Sequence, residues 1–195
     1  MVNTMKQLKY VLILASGGID STACIRFFKK MKFDVDAIFF DYGQLSRRNE
    51  LKAVTAVSEY YKISLRVISI RADTKFSDGL IQGRNAVMYF SALMNFRGNN
   101  GIIASGIHTG TPYYDCSSAF LGDIQRVFDG YTNGTVKAAA PFLTFSKKDI
   151  WDYCKTEKVP LSLTYSCERG LKQPCGKCNT CKDILEIYAS SKQQN

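Results

Sequence analysis

A chain of 195 residues with 46% hydrophobic and 12% aromatic side chains can fill one sizeable core, which excludes the disordered and fibrous classes. No apolar run reaches the roughly 18 residues of a membrane helix, so a membrane partner is not expected. The net charge of +9 suits an anionic partner such as a nucleotide, pyrophosphate or RNA, and equally suits a plain solvated surface.

The opening MVNTMKQLKYVLILAS places lysines, an apolar stretch and small residues in the order of an export signal. The apolar stretch is only about six residues long, and the cleavage point would fall inside a glycine turn, so a cytoplasmic location is expected. YVLILA (10–15) reads as a buried strand that stops at Gly17 and Gly18. A helix follows, with Cys24, Phe27, Phe28 and Met31 along one apolar face. DAIFFDY (36–42), SLRVISI (64–70), GIIASGI (101–107) and a weaker VKAAAPFL (136–143) supply four more strands. RRNELKAVTAVSEYY (47–61) and NAVMYFSALMNF (85–96) supply helices between them. SKKDIWDYCKTE (146–157) begins with Ser146 and Asp149 at capping-box spacing. Strands buried on both faces and alternating with helices predict a doubly wound α/β fold with a parallel five-stranded sheet and a short C-terminal extension. Ligands bind such sheets beyond the C-terminal strand ends. Ser16 to Thr22, Asp41 to Gln44 and His108 to Asp115 all fall there.

SGGIDS (16–21) is neither a Walker loop, because it lacks the lysine, nor G-x-G-x-x-G. Gly17 and Gly18 let backbone N–H groups approach an anion, and Asp20, Ser21 and Thr22 occupy the first turn of the helix behind them. The hydroxyls of Ser16, Ser21 and Thr22 add donors. A carboxylate beside phosphate is repulsive unless it caps the helix or holds a cation, so Asp20 points to Mg²⁺. The bland alternative is a strand-to-helix turn capped by Ser16 or Asp20.

The cysteines of CERGLKQPCGKCNTC, Cys167, Cys175, Cys178 and Cys181, are spaced to close a tetrahedral shell round Zn²⁺. A closed shell has no open position, so the metal is expected to be structural. It would pin the tail and the helix TCKDILEIYASS (180–191) to the main domain. A redox pair needs only one C-x-x-C.

Both signals resemble known proteins. SGGIDS resembles the pyrophosphate loop of the ATP pyrophosphatases, which cleave ATP between its α- and β-phosphates and adenylate a substrate oxygen. With the tail, the chain resembles the 7-cyano-7-deazaguanine synthase family through LASGGIDSTACI, FFDYGQLSRRNE, GRN (83–85), YYDC (113–116), PFLTFSKKDIW and LSLTYSCERG…PCGKCNTCK. The resemblance implies an adenine nucleotide alpha-hydrolase-like domain over 1–160 and a zinc-binding motif with its helix over 161–195. It implies ATP, Mg²⁺ and structural Zn²⁺, with 7-carboxy-7-deazaguanine and ammonia converted to the nitrile base of the queuosine route.

In that reading Ser16, Gly17, Gly18, Asp20, Ser21 and Thr22 hold pyrophosphate and Mg²⁺, and Lys147 neutralises phosphate charge. Arg84 and Asn85 act near substrate or phosphate, Tyr42 and Gln44 line the nucleotide pocket, and Asp115 accepts from the guanine-like edge. Plain structural roles stand beside most of these: a solvated Lys147, helix-capping Arg84 and Asn85, packed Tyr42 and Gln44, a loop carboxylate at Asp115. His108, the only histidine, is read as incidental or structural rather than as a base. The resemblance implies a homodimer; no stable nucleic-acid partner is expected, since no separate RNA-binding domain is visible.

The chain departs from the family pattern in RADTKFSDGLIQ (71–82), which is short and lacks a valine-proline before GRN. GIHTGTPYYDCSSAF (106–120) is compressed and lacks an arginine after Asp115–Cys116. Three alternatives therefore stay open: a ligase passing the activated carboxylate to another amine, a tRNA-modifying relative using Cys116, and a zinc-pinned nucleotide-binding module.

Overall fold

The computed structural model describes residues 10–71, 81–108 and 113–192, with side chains to 187. Most of the shortened 71–82 segment and residues 109–112 lie outside the described residues. The strands are β1 (Tyr10–Leu14), β2 (Asp34–Asp41), β3 (Ser64–Ser69), β4 (Gly101–Ser105) and β5 (Val136–Ala139). The helices are α1 (Ile19–Lys30), α2 (Arg47–Tyr61), α3 (Arg84–Met94), α4 (Ser118–Thr132), α5 (Lys147–Thr156) and α6 (Asn179–Lys192).

All strand pairs are parallel, in the order β3-β2-β1-β4-β5. The two-residue period of the strands splits the apolar side chains between two cores. Val11, Ile13, Val35, Ala37 and Phe39 meet α1, α2 and α5 on one face. Leu12, Ile38, Phe40 and Ile103 meet α3 and α4 on the other. The sheet is thus covered on both sides, as its near-continuous Val/Ile/Phe runs require.

Chain order reverses at β1, which pairs with β2 at Leu14–Ile38 and with β4 at Leu14–Ser105. The ends of β1 and β4 therefore open a crevice at the switch point. Tyr89 of α3 fixes the β4 side of it. Its hydroxyl shares a hydrogen bond with Ser105 Oγ (2.8 Å) and lies 3.2 Å from the Ala139 carbonyl of β5.

Three details differ from the sequence reading. β5 ends at Ala139, and Ala140–Leu143 form a turn at Pro141 instead of extending the strand. Met31 caps α1 and is 55% exposed, so the apolar face stops at Phe28. Helix α4 was not anticipated; it buries Phe120, Ile124 and Phe128, one turn apart. The capping box at Ser146–Asp149 is formed as predicted. Among the described residues no helix is long and apolar enough to cross a membrane.

Candidate active site and metal centre

Beyond Leu14 the chain reaches the C-terminal edge of the sheet and must turn into α1. Gly17 makes the turn with φ +77°, deep against α2. A Cβ there would lie 2.7 Å from the Glu50 carbonyl oxygen and 2.8 Å from Val54 N. Gly18 is the N-cap of α1, and its N–H reaches Ser16 Oγ (3.3 Å). The first-turn N–H groups of a helix have no partner within it and carry partial positive charge, so an anion is favoured at this end. Ser16 is exposed at the mouth and Ser21 Oγ lies 3.3 Å from its Oγ. Thr22 stands behind the loop: it is fully buried and its hydroxyl donates to the Gly18 carbonyl (2.8 Å).

The two roles of Gly17, left-handed backbone and close approach, are separable. Gly43 has φ +83° but nothing within 4 Å of an added Cβ. Gly43→Ala should cost about 1 kcal/mol for the backbone alone. Gly17→Ala should cost roughly 1–3 kcal/mol more, because α2 backbone has to move. Urea midpoints of the two variants measure the difference, and equal midpoints would show that the turn does not depend on this contact.

Asp20 sits in the first turn of α1, facing Lys147 at the start of α5. Lys147 Nζ forms an ion pair with Asp20 Oδ2. Lys147 Nζ also lies 3.4 Å from His108 Nε2, which is 4.0 Å from the same carboxylate oxygen. Burial, reinforced by the Lys147 charge, pushes the His108 pKa down against the weaker pull of Asp20 and Asp183. At neutral pH His108 is therefore a neutral imidazole, with Nε2 accepting from Lys147. Asp20 Oδ1 is buried and has no hydrogen-bond partner among the described residues. A carboxylate oxygen left in this condition fits a hard divalent cation.

Gly106 makes the arrangement close-fitting, since a Cβ there would lie 2.6 Å from the Asp20 carbonyl carbon and 2.8 Å from Ser21 N. Gly106 was not read from the sequence, and His108 was placed beyond the strand ends but not beside Asp20 and Lys147. Both depend on β4 lying beside β1, which no local pattern states.

A second group gathers after β2 and at the start of α3. Gln44 is tied into its own loop: Oε1 accepts from Tyr42 N (3.0 Å), and Nε2 donates to the Phe40 carbonyl (3.1 Å) and to Glu50 Oε2 (2.9 Å). Burial raises the pKa of the Tyr42 hydroxyl, against the nearby Arg84 charge, which lowers it. Asn85 is buried and donates to the Asp115 carbonyl (3.2 Å), so α3 holds the Tyr114–Cys116 turn in place. Asp115 is itself 8% exposed. Cys116 Sγ lies 4.0 Å from Asp115 Oδ1.

The predicted cysteines come together. The sulphur atoms of Cys167, Cys175, Cys178 and Cys181 all lie within 4.8 Å of one another. A Zn–S bond near 2.3 Å gives a tetrahedral S–S separation of about 3.8 Å, so only slight contraction is needed. Lys177 N and Cys178 N point at Cys175 Sγ (3.4 and 3.3 Å), and these donors lower its pKa to about 6. A thiolate is the form a metal binds. The four-thiol cluster fits a metal ion.

The family described as "Queuosine biosynthesis protein QueC" matches this sequence over residues 10–88 and 72–191. Individual proteins match over nearly the whole chain as well. The 7-cyano-7-deazaguanine synthase of Desulfitobacterium hafniense (strain DSM 10664 / DCB-2) is 32% identical over 211 residues, covering 94% of this chain and 90% of that protein. This chain belongs to the QueC family.

The 7-cyano-7-deazaguanine synthase of Persephonella marina is 28% identical over 217 residues, with 95% of each chain covered. Among solved structures, NMN synthetase from Francisella tularensis superposes with a TM-score of 0.51 at 20% identity, over 91% of this chain and 76% of that one. The U34-tRNA thiolase NcsA from Methanococcus maripaludis superposes with a TM-score of 0.53 at 11% identity, over 100% and 70%. At these identities the likeness is one of fold. The QueC match takes in both the glycine loop and all four cysteines.

Proposed function

We propose that this chain converts 7-carboxy-7-deazaguanine and ammonia to 7-cyano-7-deazaguanine in queuosine biosynthesis, at the expense of ATP. The observation that carries the reading is the QueC match over residues 10–88 and 72–191, because it includes the loop and the cysteine tail together.

The chemistry proceeds in two activations. The substrate carboxylate attacks the ATP α-phosphorus and releases pyrophosphate; ammonia then adds to the acyl carbon and AMP leaves, giving the amide. The amide oxygen then attacks the α-phosphorus of a second ATP and releases a second pyrophosphate, and loss of AMP and the two N–H protons leaves the nitrile. Each activation turns a poor leaving group into AMP, so the protein's work is orientation and charge stabilisation.

In this reading Ser16, Gly17, Gly18 and Ser21 cradle the pyrophosphate, whose departure needs no Walker lysine. Thr22 supports the loop through the Gly18 carbonyl. Lys147 supplies positive charge at the mouth and is held there by Asp20 and His108. Asp20 would hold Mg²⁺ through its unpartnered Oδ1, and that ion would neutralise phosphate charge. Tyr42 and Gln44 shape the nucleotide side, while Arg84, Asn85 and Asp115 form the side on which the deazaguanine lies. Residues 1–160 are the catalytic domain and 161–195 the zinc-binding tail. The four thiols, kept reduced in a cytoplasmic setting, hold structural zinc. A homodimer is the expected assembly.

The test is mass spectrometry after incubation with ATP, Mg²⁺, ammonium and 7-carboxy-7-deazaguanine, with AMP counted alongside. The nitrile mass with two AMP per turnover is expected. AMP with an amide-linked adduct, or with no nitrile, would transfer the reading to a ligase that serves another amine.

A further inference from the structure

The cysteine-bearing tail does more than pack beside the main domain. Tyr165 N–H donates to the Gly17 carbonyl (2.9 Å), and the Tyr165 carbonyl oxygen stands 3.6 Å from where a Gly18 Cβ would be. The Tyr165 ring packs against Cys167, Cys178 and Cys181, and its hydroxyl donates to the Leu171 carbonyl (2.8 Å). Within the same tail, Gly170 at φ +68° lies so close to the β2–α2 loop that a Cβ would be 2.2 Å from the Leu45 carbonyl oxygen. Asn49 Nδ2 closes that contact by donating to the Gly170 carbonyl (2.9 Å). The glycine loop is thus gripped from one side by α2 and from the other by a strap anchored in the sulphur cluster.

Besides these few contacts, a bound metal would be the main source of order in the strap. Cys167 to Cys178 contains no regular secondary structure, and its buried side chains form a small cluster separate from both main cores. A segment of this kind takes its order from ligand binding to its thiolates.

We infer that the four-cysteine centre is energetically coupled to the glycine loop, with Tyr165 as the positioning residue that joins them. Metal loading tightens nucleotide binding, and bound nucleotide tightens the hold on metal. Linkage requires the two factors to be equal, and couplings of this sort run from about 5- to 150-fold. The inference rests on the reading that the loop binds ATP.

Calorimetric titration of the metal-loaded chain with ATP and Mg²⁺ comes first; absence of binding there overturns the nucleotide reading itself, and the coupling with it. Given binding, zinc is withdrawn from the wild-type chain by a chromophoric chelator with and without saturating ATP. ATP should raise the chelator concentration needed by at least about fivefold. Equal zinc affinity in the two conditions overturns the coupling and leaves nucleotide binding standing.

Variants then locate the joint. Thr164 has φ −84° and ψ 156°, a conformation suited to the residue before a proline. Tyr165→Pro therefore deletes the N–H donor, whereas Tyr165→Ala deletes the ring and keeps the N–H. At full zinc content, Tyr165→Pro should bind ATP at least about fivefold more weakly than Tyr165→Ala. Equal affinities in the two variants would remove Tyr165 N–H from the coupling.

Discussion

Asp20→Ala should lower the rate of AMP formation by at least about a thousandfold while leaving the chain folded. Electrostatic groups aimed at developing charge in a closed site are each worth about 10²–10³ in rate, and Asp20 would serve both a bound cation and Lys147. The side chains of Asp20 and Lys147 are 24% and 19% exposed, so the ion pair is part-buried. Losing it should cost about 1–3 kcal/mol, a fraction of the roughly 5–15 kcal/mol that holds an ordinary domain. Loss of rate without loss of fold is therefore expected. Asp20→Asn is the sharper form, since it keeps the shape but removes the charge that would hold Mg²⁺. Single-turnover AMP release, with melting temperature measured in parallel, reads both effects. An Asp20→Asn enzyme at wild-type rate across a Mg²⁺ titration would remove the cation role from Asp20.

The second large effect is expected from Cys178→Ser. Cys178 is 4% exposed and lies among the other three sulphur atoms. A serine hydroxyl does not replace a thiolate, and the three remaining ligands bind metal far more weakly. Because the free energy of binding structural zinc is folding free energy, losing it should cost at least about 3 kcal/mol. In a chain of this length each 1 kcal/mol moves the melting temperature by about 2–4 °C, so a fall of roughly 6–12 °C is expected. Exhaustive chelation of the wild type should produce the same fall. Cys116→Ser, outside the cluster, should keep full metal content. A metal-free wild-type chain that melts at an unchanged temperature would show that the cluster is not a structural centre.

The parts of the molecule written in local pattern were legible in its sequence. Buried runs such as YVLILA gave the strands, Ser146 and Asp149 gave the start of α5, and the four-cysteine spacing gave the sulphur cluster. The family followed from the same motifs. Helix α4 was overlooked although Phe120, Leu121, Ile124, Val127 and Phe128 recur at helical spacing, because the compressed segment before it left 118–132 unread. β5 was read too long because Phe142 is apolar and buried, yet it packs in the helix layer after the chain has turned at Pro141.

Within the site, the sequence names candidates but not distances. Asp20 and Lys147 are far apart along the chain and meet only because α5 returns to the mouth of β1. His108 joins them by strand order alone, and Tyr165 reaches Gly17 through a tail with no periodicity to read. Gln44 shows the converse. It stands in the predicted loop, but its amide is consumed in holding that loop together.

The bond from Tyr165 to Gly17 also bears on how the chain acquires its shape. β1, β2 and β3 can pair as soon as they are made, whereas β1 must wait for β4 to complete its other edge. The turn after β1 is then the last piece of the central sheet to be finished, because its clamp comes from the tail. Pairings between segments so distant in sequence are slow, since the connecting chain has to be closed before any contact rewards it. A nascent chain therefore lacks the Tyr165 clamp on its glycine turn until the tail has been synthesised.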